Sequence, residues 1–487
     1  MNNENKSQNK FISGFKAHRL MSLTALLATL WIIFLKMLFE PTFFDGVTYA
    51  AVAQNLASQP QSFWQLTYTE TIFSNFVEHP PLFIWLLHLA FLLPPLPFPP
   101  ELCFNFLLLF CILILIQKIW LAAQVKTTPH SSAWIPITFF LLTPLLRESF
   151  SSSLIDNLIC AFNLLTVLLL LSCNNASIKK VVRTCIFIGV ITFLGVLAKG
   201  PVGLYPLLPC IVIPFFFPNP DIRRYGLFLP LIVCLFLLGG LCLQDNAYTY
   251  LSQYFHQQVI ASLLGTRSAA TDTDWGHLYL LQRLLTQDLL FVIVLSAFSI
   301  VVYKHRGEKP NKQDLTASSF FFVLGALGTL PLLITAKQWP FYNVPALPFF
   351  IFSGAFMVKE LFESFYLDIF NQRILRRISI IVFFLCVGLW TNHKFQHLQR
   401  DGLYWNQWHD FFERVPKGMT LETCTNLKRD FSLHAYAKRF GTVSLFLKEG
   451  VSNFHLTNST CEKPKDATLL AKGPRDYELW IKHKSNP

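Results

Sequence analysis

The sequence predicts a polytopic α-helical membrane protein with a small α/β domain at its C-terminal end. Three observations predict it. Of 487 residues, 53% are hydrophobic, 15% aromatic and only 14% charged, whereas a soluble chain carries about a quarter charged residues. The apolar residues fall in runs long enough to enter a bilayer. The lysines and arginines sit in short clusters between those runs, and from residue 391 onward the chain turns polar and mixed.

The apolar runs are 20–38, 104–121, 135–146, 156–171, 181–197, 204–217, 227–243, 284–302, 320–334, 342–358 and 378–390. A span needs roughly 20 residues, so these runs, with clipped ends, read as about eleven helices and as many as about thirteen. The first follows a basic segment (Lys6, Lys10, Lys16, Arg19). No small-residue cleavage site comes after it, so an uncleaved first helix is expected.

The run "PPLFIWLLHLAFLLPPLPFPP" (80–100) is bounded by prolines and holds His88. Lying flat in the interface, it leaves Lys118/Lys126, Lys179/Lys180/Arg183, Arg223/Arg224, Lys304/Arg306/Lys309/Lys312 and Arg373/Arg376/Arg377 on the side of the N-terminus. Every cytoplasmic loop then obeys the positive-inside rule. As a span it would split these clusters between faces, so the flat arrangement is the expected one. The same clustering accounts for the net charge of +12. No basic stripe interleaved with aromatics is present, and nucleic acid is not an expected partner.

This topology brings the first outer loop (40–100), the loop 244–281 and the tail to one face, and with them Asp45, Glu78, Asp156, Lys199, His256, Arg267 and Lys337. Two domains are expected: a membrane domain over 1–390, including that first loop, and a soluble extracytoplasmic domain over 391–487. In the tail, "HAYAKRF" reads as helix, and "GTVSLFL" and "DYELWIKH" as strands by their β-branched and aromatic content. Cys424 and Cys461 are the tail's only cysteines, and a disulfide between them is expected in an oxidising compartment.

Three stretches carry a resemblance: "FFDGVTYAAVAQNLA" with the following "FVEHPPLFIWLL", then "LGVLAKGPVGLYPLLP", then "ITAKQWPFYNVPALP". In that order and spacing, over about residues 20–355, the chain resembles the polyprenyl-phosphate-sugar glycosyltransferases of the GT-C fold. It looks most like the bacterial aminoarabinose (lipid A) transferases and the wider protein O-mannosyltransferase-like family. The resemblance implies that Asp45 is the catalytic base and that Asp156 is a further acid binding acceptor or metal. It implies that Tyr49, His79, Lys199, Arg267, Lys337 and Tyr342 face the donor and its phosphate. It also implies that Glu78 and His256 stand near a divalent metal, the one cofactor expected.

Two departures from the family pattern stand out. Its Asp-Glu pair is Asp45-Gly46 here, and its E-K-P-P is Glu78-His79-Pro80-Pro81. Each of these residues also has an ordinary structural reading. Asp45 and Asp156 are good helix N-caps, and Lys199 and Lys337 can snorkel to headgroups.

The expected function is transfer of a sugar from a polyprenyl-phosphate donor to an envelope acceptor on the outer face of the bacterial inner membrane. A glycolipid of the lipid A type or a surface glycan is expected before protein. The partners are then the lipid-linked sugar, that acceptor and membrane lipids. The alternative is a transporter or flippase of lipid-linked sugars. Transporters usually show internal repeats and midplane sites, but here no repeat is visible and the charges gather at one face.

Overall fold

The computed structural model describes residues 2–58, 63–94, 97–124, 132–264, 275–334, 338–371, 381, 385–386, 388–393, 396, 404–446 and 452–482. The chain divides into two compact units, one of residues 1–33, 105–150 and 155–389, the other of residues 34–104, 151–154 and 390–487. The segment 34–104 thus folds with the tail.

The first unit is a helical membrane body. Among the described residues, five helices are long and apolar enough to cross a membrane: Leu20–Phe39, Pro100–Ala123, Ile178–Leu204, Pro220–Leu241 and Lys312–Ile334. Two bent pairs raise the number to seven when each counts as one span: Pro144–Ser151 with Ile155–Leu171, bent by 115°, and Gly276–Asp288 with Leu290–Arg306, bent by 63°. Most of the apolar run 378–390 lies outside the described residues.

Why these segments are helices follows from their setting. Lipid offers no hydrogen-bond partners, so a spanning backbone must satisfy itself. The packing is aromatic. Phe321 stacks near Phe352 with ring centroids 4.7 Å apart, and Trp120 lies 4.2 Å from Phe356.

In the second unit, helices α2 (Phe44–Ser58) and α3 (Leu82–Phe91) pack together. The ten residues of α3 span about 15 Å, half of the roughly 30 Å hydrocarbon core. The proline-bounded run is therefore too short to cross, because prolines stop the helix at both ends.

The tail forms a five-stranded sheet in the order β2-β1-β3-β5-β4, from Thr420–Thr423 (β1), Ser444–Phe446 (β2), Phe454–Thr457 (β3), Ala467–Lys472 (β4) and Glu478–Lys482 (β5). β1 runs parallel to β2 and β3, and β5 is antiparallel to β3 and β4. A parallel neighbour requires a crossover. Between β1 and β2 it is supplied by the helix Phe431–Tyr436 and the π-turn Ala437–Gly441. Trp408, Phe412, Leu433, Tyr436, Leu445, Leu456 and Leu479 form the tail's core, and Val47 of α2 is part of it.

Cys424 and Cys461 are joined, 37 residues apart. The link ties the end of β1 to the loop after β3. By the loop-closure relation, a loop of this length is worth about 4 kcal/mol. Cys424→Ser is therefore expected to loosen the tail and raise its protease sensitivity, while non-reducing peptide mapping of the parent chain recovers the linked pair. Free alkylation of both thiols in the native parent protein would contradict this.

Candidate functional site

Most of the described residues singled out in the sequence fall into two constellations, one in each unit. In the second unit, the extended segment before α2 gives way to helix at Phe44, and Asp45 falls in its first turn. There the unsatisfied N–H groups and the helix dipole favour a carboxylate. Asp45 is half-buried.

Tyr49 lies one turn on and is 6% exposed. Its hydroxyl is hydrogen-bonded to His79 Nε2 at 3.0 Å, with Tyr49 donating when that nitrogen is unprotonated. Its ring also meets Phe83 edge-on at 5.7 Å. His79 and Glu78 are half-buried in the turn that Pro80 and Pro81 lead into α3. The structure therefore joins Tyr49 to His79 directly, a pairing that their 30-residue separation hides in the sequence.

Gly46 explains the missing second acid. A Cβ at this position would lie 1.8 Å from the carbonyl oxygen of Ser152. The hydroxyl of the same Ser152 accepts from the Phe43 N–H at 3.3 Å. The backbone of 151–154 presses against the first turn of α2, leaving no room for a side chain after Asp45.

Tyr68 is the residue the sequence reading missed here. It is 4% exposed, and its phenol is near Thr48 and the Asp45 charge. Burial pushes its ionisation well above the ordinary tyrosine value, opposed by a hydrogen bond with Thr48 and reinforced to a smaller extent by the Asp45 charge.

In the first unit, Asp156 lies in the first turn of the helix Ile155–Leu171 and Lys199 ends the helix Ile178–Lys199. Each charge sits at the helix end whose dipole favours it. The two form an ion pair, with side chains 8% and 7% exposed respectively. Lys199 Nζ also lies 4.9 Å from the centroid of the Tyr342 ring. Asp156, Lys199 and Tyr342, which belong to three distant stretches of sequence, thus meet. Gly200 holds the turn after Lys199 at φ 60°, where a Cβ would lie 2.1 Å from the Tyr254 hydroxyl.

His256 stands apart on an exposed π-turn, its Nδ1 2.8 Å from the Ser252 carbonyl oxygen. Arg267 and Lys337 lie outside the described residues. Among the described residues, the one cluster of three metal-ligating side chains is His409, Asp410 and Glu413, all exposed, the first two on the tail helix Tyr404–Phe412 and the third in the turn after it. Glu78 and His256 do not belong to it.

Sequence reasoning also missed Asp288. It is fully buried, and its Oδ1 accepts from the Leu145 N–H at 3.2 Å. Arg283 lies between it and Glu148, at 3.7 and 3.4 Å. Asp288 thereby caps the start of the helix Pro144–Ser151 in one bent pair from the break in the other. An acid inside the apolar run 284–302 was the available signal.

No protein-family model matches the chain, and no curated protein does. Solved structures do. ArnT from Cupriavidus metallidurans bound to undecaprenyl phosphate is 14% identical, with a TM-score of 0.60 over 96% of this chain and 98% of that one. The same protein in its apo state gives 0.59 at 14% identity over 96% and 99%. The apo oligosaccharyltransferase of Archaeoglobus fulgidus gives 0.50 at 11% identity, over 88% of this chain and 64% of that one. The chain shares the overall fold of these proteins, a helical fold with several apolar spans and a small sheet domain near the C-terminus.

Two outcomes follow from this geometry. Gly46→Ala is expected to lower the melting temperature and the yield of folded protein, since either backbone or Ser152 must move. Lys199→Met alone leaves Asp156 buried and unpaired, at a cost of about 3–5 kcal/mol, much of which the double variant Lys199→Met/Asp156→Leu recovers. Thermal melting in detergent measures both.

Proposed function

We propose that this chain is a membrane glycosyltransferase that moves a sugar from a polyprenyl-phosphate donor to a hydroxyl or phosphate of an envelope acceptor. The observation that carries this reading is the extent of the fold likeness. Nearly the whole chain matches nearly the whole of a protein whose structure holds undecaprenyl phosphate. The acceptor we infer is a glycolipid of the lipid A type or a surface glycan.

Asp45 is the general base. Its carboxylate takes the acceptor proton as the acceptor oxygen attacks the anomeric carbon. The bond from that carbon to the phosphate oxygen breaks, and polyprenyl phosphate leaves. Tyr49 and His79 orient groups beside Asp45, and Tyr68 supplies a buried donor. Lys199, held against Tyr342, neutralises phosphate charge, with Asp156 setting its position until an anion arrives. Arg267 and Lys337 are assigned the same phosphate role from the sequence.

The metal assignment to Glu78 and His256 draws no support from the geometry. The Nδ1 of His256 faces the Ser252 carbonyl, and neither Glu78 nor His256 belongs to the cluster of metal-ligating side chains found among the described residues. No step here runs through a metal.

Two observations support an outer-face reading. The positive-inside pattern favours the tail on the outer side, and the Cys424–Cys461 bond suits an oxidising compartment. The chemistry is then extracytoplasmic, in a bacterial inner membrane.

Asp45→Asn preserves shape and removes the proton acceptor. The expected result is a loss of kcat of roughly a hundredfold or more, with donor affinity retained. The assay is sugar transfer from defined polyprenyl-phosphate donors, with the acceptor fraction read by mass spectrometry. Turnover near the parent rate in folded Asp45→Asn protein would remove Asp45 from the mechanism.

A further inference from the structure

The tail has no role in the proposed chemistry, yet it is packed onto the helix that carries Asp45. Contacts within the second unit join the tail to this helix and to the segments beside it. Tyr436 donates its hydroxyl to the carbonyl oxygen of Thr42 at 2.9 Å, just before α2. Val47, two residues after Asp45, is buried in the tail's own core. Arg439 makes a two-pronged ion pair with Glu101, Nε to Oε1 at 3.0 Å and Nη2 to Oε2 at 2.9 Å, and its Nη1 donates to Gln54 Oε1 of α2 at 3.2 Å. Finally, Thr71 donates to the carbonyl oxygen of Leu445 in β2 at 2.8 Å, and the Glu70 N–H donates to Ser444 Oγ at 3.2 Å. These last two anchor the segment that presents Tyr68.

Arg439 is well enclosed for a charged residue. It is 9% exposed and Glu101 5%, with the guanidinium 5.0 Å from the Phe91 ring and 5.1 Å from the Phe440 ring. A buried ion pair is weak support for stability, because desolvation offsets most of its attraction. Its geometry is specific, however. The planar fork of arginine fixes direction where lysine offers a point charge. Lys438, next in sequence, is held below the usual lysine range by burial, partly opposed by Glu70, so this stretch of the tail is desolvated against the first loop.

We propose that the C-terminal domain is a working part of the catalytic unit: its segment Phe431–Gly441 is a buttress that sets the position of α2, and hence of Asp45, with Arg439 and Tyr436 as positioning residues. The inference rests on the reading of Asp45 as the base, but the placement of α2 is measurable without it. A tail that merely solubilised the protein would need no hydrogen bond to Thr42 and no directional ion pair onto Glu101. The Asp45 turn is gripped on both sides, at Thr42 and at Val47, and the tail's β2 holds the Tyr68 segment.

The test uses the full chain and two mild variants, Arg439→Lys and Tyr436→Phe. Arg439→Lys keeps the charge and loses the fork. Tyr436→Phe keeps the ring and loses one hydrogen bond. Amide hydrogen exchange is followed separately in residues 44–58 and in the tail strands. Both variants are expected to exchange at least tenfold faster in α2, with β1, β3 and β5 as protected as in the parent. In the transfer assay, kcat is expected to fall at least tenfold while donor KM stays within about twofold. Unchanged α2 protection in both variants overturns the buttress, whatever the activity. Faster α2 exchange with kcat unchanged overturns its catalytic consequence. A parent chain without transferase activity defeats the function reading, and α2 exchange still decides the buttress. If Arg439→Lys fails to fold, Tyr436→Phe carries the same two readouts.

Discussion

The burial of α2 is the constraint on which the rest of the second unit depends. A helix of 15 residues is marginal alone in water, and this one carries a carboxylate in its first turn. It persists because its apolar face is shared out among neighbours. Tyr49 goes to Phe83 and His79, Val47 to the tail core, and Gly46 to the backbone of residues 151–154. Each contact removes a freedom from the Asp45 turn. The carboxylate keeps partial access to water while Gly46 and Val47, which follow it, lose theirs. That arrangement suits a base, which must stay ionised and must not wander.

The first unit solves a related problem differently. Lys199 and Asp156 have both left water, and each repays the other's desolvation only while they stay together. Helix ends, an aromatic face and the tight turn at Gly200 hold the pair. In the proposed reaction this pair would open by exchange: the incoming lipid phosphate would replace part of what Asp156 supplies to Lys199 without leaving the ammonium unpaired. A lone buried lysine would shed its proton, and a fully exposed one would bind anions weakly in competition with salt.

Much of this was legible in the sequence, for physical reasons. Apolar runs and lysine clusters answer directly to the bilayer, so the membrane class, the halt of the helix at Pro80–Pro100 and the polar tail could be read from composition and spacing. The two tail cysteines announced their own pairing. Tyr49–His79 and Lys199–Asp156–Tyr342 could be named but not joined, because their meeting depends on tertiary packing. Tyr68, Asp288, Glu101 and Arg439 were not seen at all. Tyr68 and Arg439 are ordinary residues of polar segments until their burial is known, Asp288 stood unheeded in an apolar run, and Glu101 sits behind two prolines like any N-terminal helix acid. The absent second acid after Asp45 was visible as a glycine, but its cause, the Ser152 carbonyl 1.8 Å from where a Cβ would be, lies 106 positions further along the chain.

The central claim is that the chain breaks the bond between a sugar and a lipid phosphate. Its most direct test reconstitutes the purified protein in vesicles with a radiolabelled polyprenyl-phosphate sugar and an envelope glycolipid. The lipid product and the location of the intact donor are then followed in the same sample. The account predicts free polyprenyl phosphate and glycosylated acceptor in equal amounts, with no movement of intact donor between leaflets. Movement of intact donor without release of polyprenyl phosphate would contradict it and identify a transporter instead.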